Sequence, residues 1–93
     1  HRSESVMVYK RKGKKEKDDV LVILNVTPLV RQDWEIYVYG KGKWQEIFNS
    51  DAKEFWGTGD VFNPEIQSEL VDKPSKCYKL KVHLPALGAV VLR

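Results

Sequence analysis

The most apolar stretch of the chain is Val20–Leu24, five consecutive hydrophobic residues of which three are β-branched. The run is short for a helix, and Pro28 lacks the amide N–H that a central strand needs, so the pattern predicts a strand that ends near Val26 or Thr27. Successive side chains of a strand point to opposite faces, so Leu21 and Ile23 share one face and Val20, Val22, Leu24 and Val26 share the other. Both faces need cover, and in a small domain a second sheet can cover only one of them.

Further strands are predicted on both sides of this segment. Ser5–Arg11 is rich in β-branched and aromatic residues, and the lysine-rich segment Lys12–Asp18 joins it to the apolar strand as a hairpin. A second hairpin is predicted from Trp34–Tyr39 and Lys43–Asn49, joined by a glycine-containing turn. In its first strand, one face carries Trp34, Ile36 and Val38, and the other carries Glu35, Tyr37 and Tyr39.

The second half of the chain is less regular. Glycine, proline and small polar residues from Ser50 to Ser75 predict a long loop with one short strand near Lys53–Trp56. Tyr78–Leu84 alternates strictly, with Tyr78, Leu80, Val82 and Leu84 inward, and Ala89–Leu92 is a short closing strand. No segment has a helical period. The predicted fold class is therefore all-β, an antiparallel two-sheet β-sandwich of Greek-key type with about seven to eight strands.

Length and composition limit the possible functions. With 93 residues and a net charge of +3, the chain is predicted to form one domain over residues 1–93. A single cysteine, Cys77, excludes an internal disulfide and favours a reducing compartment, so a cytoplasmic location is predicted. No stretch approaches the about 20 apolar residues that span a bilayer, so no membrane partner is expected. The chain begins at His1 without an initiator methionine, and we interpret it as a piece of a longer protein.

The sequence offers no recognisable catalytic spacing. His83 lies on the polar face of a strand, the acidic residues are scattered, and Cys77 has no evident base partner. No catalytic residue, cofactor or metal ligand is therefore predicted. Lys10–Lys17 holds six basic residues in eight positions but no aromatic residue for base stacking. A solvated hairpin tip is the favoured interpretation, so nucleic acid is not predicted as a partner, and a nucleic-acid-binding module that uses Lys10–Lys17 is kept only as a further alternative.

Aromatic side chains are the main candidates for a binding role. Trp34 begins an inward alternation and Trp44 lies near the start of a strand, so both are predicted to be core or interface residues. Trp56 lies in the glycine-flanked loop, and together with Tyr37 and Tyr39 it offers flat apolar surfaces on which sugar rings can stack. Carbohydrate contact is therefore predicted at Trp56, Tyr37 and Tyr39, and a free-standing carbohydrate-binding module is one functional hypothesis.

The order of several short motifs resembles a known family. The segment Leu24-Asn25-Val26-Thr27-Pro28 is followed by Trp44-Gln45-Glu46-Ile47-Phe48-Asn49-Ser50-Asp51, by Trp56-Gly57-Thr58-Gly59 and by Leu84-Pro85-Ala86-Leu87-Gly88-Ala89-Val90-Val91-Leu92. Across nearly the whole chain, this series resembles the C-terminal β-domain of 1,4-alpha-glucan (glycogen) branching enzymes of the alpha-amylase superfamily. Two departures are Val26, where the family more commonly has Phe, and Ala86, which replaces a second proline.

The resemblance implies a sandwich beside a catalytic (β/α) barrel, in an enzyme that cuts an α-1,4 glucan and transfers it to a 6-hydroxyl. The catalytic residues of such enzymes lie upstream, and nothing in this sequence corresponds to them. The chain would then be the non-catalytic C-terminal fragment of a multidomain glycosyltransferase of glycogen biosynthesis, with the barrel as its partner and α-glucan as a second ligand. On this hypothesis the barrel covers the surplus apolar face, which we assign to Leu21 and Ile23.

Overall fold

The strands of the fold follow the alternating segments of the sequence. The computed structural model describes residues 6–93, so Ser5, the predicted start of the first strand, lies outside the described residues. This range contains two short 3-10 turns, Glu16–Asp18 and Lys53–Phe55, and seven strands: β1 (Val6–Arg11), β2 (Val20–Asn25), β3 (Arg31–Tyr39), β4 (Glu46–Asn49), β5 (Gln67–Asp72), β6 (Cys77–Leu84) and β7 (Gly88–Leu92).

The seven strands form two antiparallel sheets, as predicted. Sheet A has the order β1-β2-β7-β4, and sheet B has the order β3-β6-β5. The predicted hairpin of β1 and β2 is confirmed, with Val8 opposite Ile23. The predicted hairpin of β3 and β4 is wrong, because β3 pairs with β6 in sheet B while β4 pairs with β7 in sheet A.

Trp44 explains why the chain changes sheets after β3. Its side chain is only 3% exposed and belongs to the core cluster. The indole Nε1 donates a hydrogen bond to the carbonyl oxygen of Lys41 at 3.0 Å, so the polar atom of the buried ring is satisfied within the connection itself. The connection therefore carries a core residue from one sheet to the other instead of closing a tight hairpin.

The core lies between the inner faces of the two sheets. Trp34 packs against it and is partly buried, so the predicted core role of Trp34 and Trp44 is confirmed. The predicted inward set of β6 is also confirmed, with Leu80, Val82 and Leu84 fully buried and Tyr78 partly buried. The buried cluster consists of Val6, Leu21, Ile23, Ile36, Val38, Trp44, Leu80, Val82, Leu84, Val90 and Leu92.

Two differences from the predicted elements have local causes. β5 lies inside the predicted loop, and all of its residues are exposed, so it has no alternation of buried and exposed positions; its pairing with β6 holds it in place. The segment near Lys53 is a 3-10 turn instead of a short strand. This turn ends where Trp56 adopts the left-handed conformation, with φ at 66°, and its N–H donates to the Lys53 carbonyl.

Truncation of Leu80 tests the position of the core. Leu80 is fully buried on the central strand of sheet B, so we expect Leu80→Ala to lower the free energy of unfolding by about 2 to 5 kcal/mol. Leu70→Ala is the matched control, because Leu70 lies on the neighbouring edge strand and is 47% exposed. Urea unfolding of both variants measures the difference, and equal losses would contradict the described core.

Candidate functional site

Asp51 organises the loop that follows β4. Its carboxylate accepts hydrogen bonds from the Thr58 N–H at 3.0 Å, the Thr58 hydroxyl at 2.6 Å and the Val61 N–H at 3.1 Å. These bonds, the Thr58 hydroxyl first among them, lower the pKa of Asp51. A side chain on Gly57 would place its Cβ 2.1 Å from the Asp51 carbonyl oxygen, so this close approach requires glycine. The loop therefore has a fixed shape.

A buried polar network joins the same loop to both sheets. The Glu46 carboxylate on β4 accepts hydrogen bonds from the side-chain amides of Asn49 and Asn63, each at 2.9 Å. Asn63 also bonds the backbone of His83 on β6, donating to its carbonyl at 3.0 Å and accepting from its N–H at 2.7 Å. Asn49 and Asn63 are only 4% and 5% exposed, so these bonds satisfy groups that would otherwise be costly to bury.

The fixed loop presents an exposed aromatic cluster. Trp56 is 98% exposed, and the preceding Phe55 is half exposed. The Phe55 ring packs against Phe48 of β4, with ring centroids 5.1 Å apart. Phe48 lies on the outer face of sheet A, so the cluster is continuous with that face.

The outer face of sheet A is apolar across all four of its strands. Tyr9, Val22, Val91 and Phe48 lie opposite one another in one row from β1 to β4. With strands about 4.8 Å apart, the row is about 14 Å wide. A neighbouring row adds Met7, Leu24 and Ala89. We call the surface formed by these seven residues the apolar face.

The side chains of β2 point the opposite way from the predicted assignment. Leu21 and Ile23, proposed as the interdomain face, are 2% and 0% exposed and form part of the domain's own core. A fully buried side chain cannot contact a second domain, so these two residues do not form that face. The accessible side of β2 carries Val20, Val22 and Leu24, all partly buried.

Tyr37 and Tyr39 lie on the outer face of sheet B, on the opposite side of the sandwich. They are 58% and 59% exposed, and the alternation of β3 turns both to one face. Tyr37 pairs with Lys79 of β6, which in turn pairs with Glu69 of β5. Lys79 Nζ lies 3.4 Å from the Glu69 carboxylate and 3.8 Å from that of Glu35. These interactions, that with Glu69 foremost, raise the pKa of Lys79.

A shallow groove lies beside these tyrosines. It has a volume of about 300 Å³ and is lined by Gln67, Ser68, Glu69, Lys79 and Lys81. The three aromatic residues predicted to contact carbohydrate are thus divided by the fold. Tyr37 and Tyr39 share the outer face of sheet B, whereas Trp56 follows β4 beside sheet A. We call the outer surface formed by Tyr37, Tyr39, Glu35, Lys79, Lys81, Gln67 and Glu69 the tyrosine face.

Basic residues gather at one end of the sandwich. The β1–β2 hairpin tip meets the connection between β3 and β4 there, and Lys41 Nζ donates to the Lys17 carbonyl at 3.0 Å. Asp19 accepts a hydrogen bond from the Gly13 N–H at 2.9 Å, which lowers the pKa of Asp19, and pairs with Lys10 at 3.6 Å. The remaining lysines of the 10–17 segment for which exposure is described are exposed. The predicted hairpin tip is therefore a charged surface anchored by Asp19.

A metal site and a reactive thiol are the two chemistries on which residues 6–93 bear. No group of three or more His, Cys, Asp or Glu side chains in this part of the chain is placed to hold a metal ion. Cys77 is 8% exposed at the start of β6, opposite Tyr39, as expected for a semi-buried thiol.

None of the helical segments described is long and apolar enough to cross a membrane.

The two-sheet architecture agrees with a family match over the full sequence. The chain belongs to the family described as "Alpha amylase, C-terminal all-beta domain", which it matches over residues 1–93. The class of the protein is therefore an all-β C-terminal domain of the alpha-amylase type.

Particular relatives are bacterial 1,4-alpha-glucan branching enzymes named GlgB. The Aquifex aeolicus enzyme is 34% identical over 90 residues, which cover 97% of this chain and 14% of that protein. The Rhodopirellula baltica enzyme is 36% identical over 97% of this chain and 12% of its own length, and GlgB 1 of Xanthomonas euvesicatoria pv. vesicatoria is 38% identical over 95% and 12%. The chain thus spans only 12% to 14% of the length of these curated relatives.

Some residues beside these surfaces were not predicted from the sequence. Gln67 and Glu69 belong to β5, whose uniform exposure gives no strand signal. Phe48 was assigned to a strand, but its place in a continuous row with Val91, Val22 and Tyr9 depends on sheet order. The four consecutive apolar residues Ala89–Leu92 are the local sign that β7 has apolar side chains on both faces.

The role of Asp51 predicts a pH-dependent loss of stability. We expect Asp51→Asn to lower the free energy of unfolding at neutral pH by about 1.5 to 3 kcal/mol, because hydrogen bonds to a charged acceptor are lost. The pKa of Asp51 is lower when folded than the ordinary 3.8, so its contribution is complete above that value. It disappears as the pH falls through the folded pKa, and the difference between variant and wild type should shrink in acid.

Urea unfolding at several pH values measures this difference. Asp60→Asn is the matched control, because Asp60 lies in the same loop and is exposed. A variant that destabilises the chain equally at neutral and strongly acidic pH would contradict the role assigned to the Asp51 carboxylate.

Proposed function

We propose that this chain is the non-catalytic C-terminal domain of a 1,4-α-glucan branching enzyme, a cytoplasmic glycosyltransferase of glycogen biosynthesis. In this proposal it stabilises the catalytic (β/α) barrel of the same parent chain by packing the apolar face against it. The family match and the names of the relatives support the identity of the parent, and the small share of their length that the chain covers leaves room for such a barrel.

The observation that carries the docking role is the exposure of apolar side chains across sheet A. Met7 and Phe48 are each 38% exposed and Tyr9 is 50% exposed. They lie on one sheet face, with Met7 and Tyr9 on β1, Phe48 on β4, and the apolar side chains of β2 and β7 between them. A contiguous exposed apolar surface is typical of a contact with another protein surface. Full burial of one Val or Leu side chain is worth about 1.5 to 3 kcal/mol, so a few such contacts suffice to hold a domain in place.

Two residues at the border of sheet A support the same conclusion. Trp56 and Leu87 are 98% and 70% exposed, and both adopt positive φ values of 66° and 47°. Glycine or asparagine would adopt this left-handed conformation at lower energy than a large apolar residue. Their side chains contribute little to the domain's own core, which favours a role in contact with a second domain.

A second candidate function is a free-standing carbohydrate-binding module. The observation that favours it is the tyrosine face, where Tyr37 and Tyr39 are more than half exposed beside polar side chains. This candidate does not require a barrel, and it gives the apolar face no role. The docking proposal gives the apolar face a role and is therefore preferred.

Substitution on the apolar face tests the docking role in the full-length parent enzyme. We expect Val22→Asp to lower the melting temperature of the parent by several degrees, because a carboxylate would be placed in the middle of an apolar contact. Val71→Asp is the matched control, since Val71 lies on sheet B and is 45% exposed. Calorimetry of both variants gives the comparison.

The same variants in the 93-residue chain separate docking from folding. Val22 lies on the outer side of β2, so in this chain its substitution should reduce the free energy of unfolding by only about 1 kcal/mol or less. If Val22→Asp left the parent as stable as Val71→Asp does, the apolar face would not be the docking surface.

A further inference from the structure

We propose that the tyrosine face binds a segment of α-glucan chain. This inference rests on the proposed function for the chemical identity of the glucan, and it names a ligand for the side of the domain that docking on sheet A would leave in solvent. Tyr37 and Tyr39 then belong to the glucan-binding surface, whereas Trp56 belongs to the docking side.

The first argument is the arrangement of the two tyrosines. They are two residues apart on one face of β3, so their backbone positions are about 7 Å apart. Both are more than half exposed on β3, which is an edge strand of sheet B among the residues described, so one side of the strand is open to a ligand. Two neighbouring aromatic surfaces can contact successive rings of one polymer, using the apolar C–H faces of the sugars.

The second argument is the polar lining next to the tyrosines. Across the sheet from Tyr37 lie Lys79 and then Glu69, and across from Glu35 lie Lys81 and then Gln67. These side chains supply both donors and acceptors in a groove of about 300 Å³. A binding site for a polyhydroxylated ligand needs this combination of an apolar surface and a few polar groups that fix orientation.

The third argument is the charge balance of the tyrosine face. Two lysines, Lys79 and Lys81, face two carboxylates, Glu35 and Glu69, and Lys79 is paired with both acids. The adjacent Cys77 raises the pKa of Tyr39 above its ordinary value. The balance favours an uncharged ligand over a polyanion. The basic end begins at Tyr39, whose carbonyl oxygen accepts a hydrogen bond from Lys10 Nζ at 2.9 Å, so Tyr37 is the tyrosine further from it.

The experiment is a titration of the 93-residue chain with maltoheptaose, followed by calorimetry and by amide chemical shifts. Wild type should bind, and the amide shifts should map to β3, β5 and β6. Replacing both residues, Tyr37→Ala with Tyr39→Ala, should lower the affinity about tenfold or more, because both aromatic contacts with the sugar rings are lost. Urea unfolding of the double variant checks that it remains folded.

Trp56→Ala is the matched control, since it also removes an exposed aromatic ring but from the side of sheet A. It should leave the affinity for maltoheptaose unchanged. The affinity should also stay constant between about 0.05 and 0.5 M salt, because the ligand is uncharged. Absence of binding by wild type, or loss of binding in Trp56→Ala but not in the tyrosine variant, would overturn the inference.

These outcomes are distinct from a failure of the docking proposal. If Val22→Asp leaves the parent stable while maltoheptaose still binds through Tyr37 and Tyr39, the free-standing module is the better description. If docking is supported and the tyrosine variant binds as wild type does, only the glucan surface is rejected. Binding that weakens as salt is added would indicate a contact at the basic end of the sandwich. That result would also reject the tyrosine face as the glucan surface.

Discussion

The orientation of the β2 side chains is the constraint on which the rest of the structure depends. A shift of one residue would exchange the core face of a strand with its outer face. Asn25 fixes the orientation at one end: it is 1% exposed and donates to the carbonyls of Leu29 at 2.8 Å and Pro85 at 3.0 Å. Asp19 fixes it at the other end by accepting from the Gly13 N–H. A shift of β2 by one residue would leave both polar side chains without their hydrogen-bond partners. The register is therefore determined by these polar anchors more than by the apolar residues between them.

Given that orientation, the two sides of the sandwich acquire opposite chemistry. Sheet A places Val22 and Leu24 outward and continues them with Val91 and Phe48, whereas sheet B places Lys79 and Glu35 outward. The network around Glu46 and Asn63 links the edge of sheet A to β6 of sheet B and holds the two sheets in one relation. The opposite surfaces are therefore presented by a single body, and a partner bound on one side leaves the other accessible.

The predictable part of the fold was the part with clear periodicity. The alternation of β3 and β6 identified Ile36, Val38, Leu80 and Val82 as core residues, because only one face of each strand is apolar. β2 is apolar on both faces, so periodicity cannot say which face turns inward; Asn25 decides this through contacts with residues distant in sequence. The division of the aromatic candidates depends on sheet membership in the same way. β3 and β4 follow one another in the chain, yet Trp44 places them in different sheets. Tyr37 on β3 therefore lies on sheet B, whereas Trp56 follows β4 beside sheet A.

The distribution of charge differs between the apolar face, the tyrosine face and the basic end of the sandwich. Six of the eight residues 10–17 are basic, and Lys41 and Lys43 lie in the connection that meets them at the same end of the sandwich. Lysines on the tyrosine face are instead balanced by carboxylates, and the apolar face has few charges to desolvate. The net charge of +3 is a sum over the whole chain and does not show that the basic residues are concentrated at one end. Charge averaged over a small domain is therefore a poor guide to its partners, because a protein surface, a neutral polymer and solvent can each meet a different side.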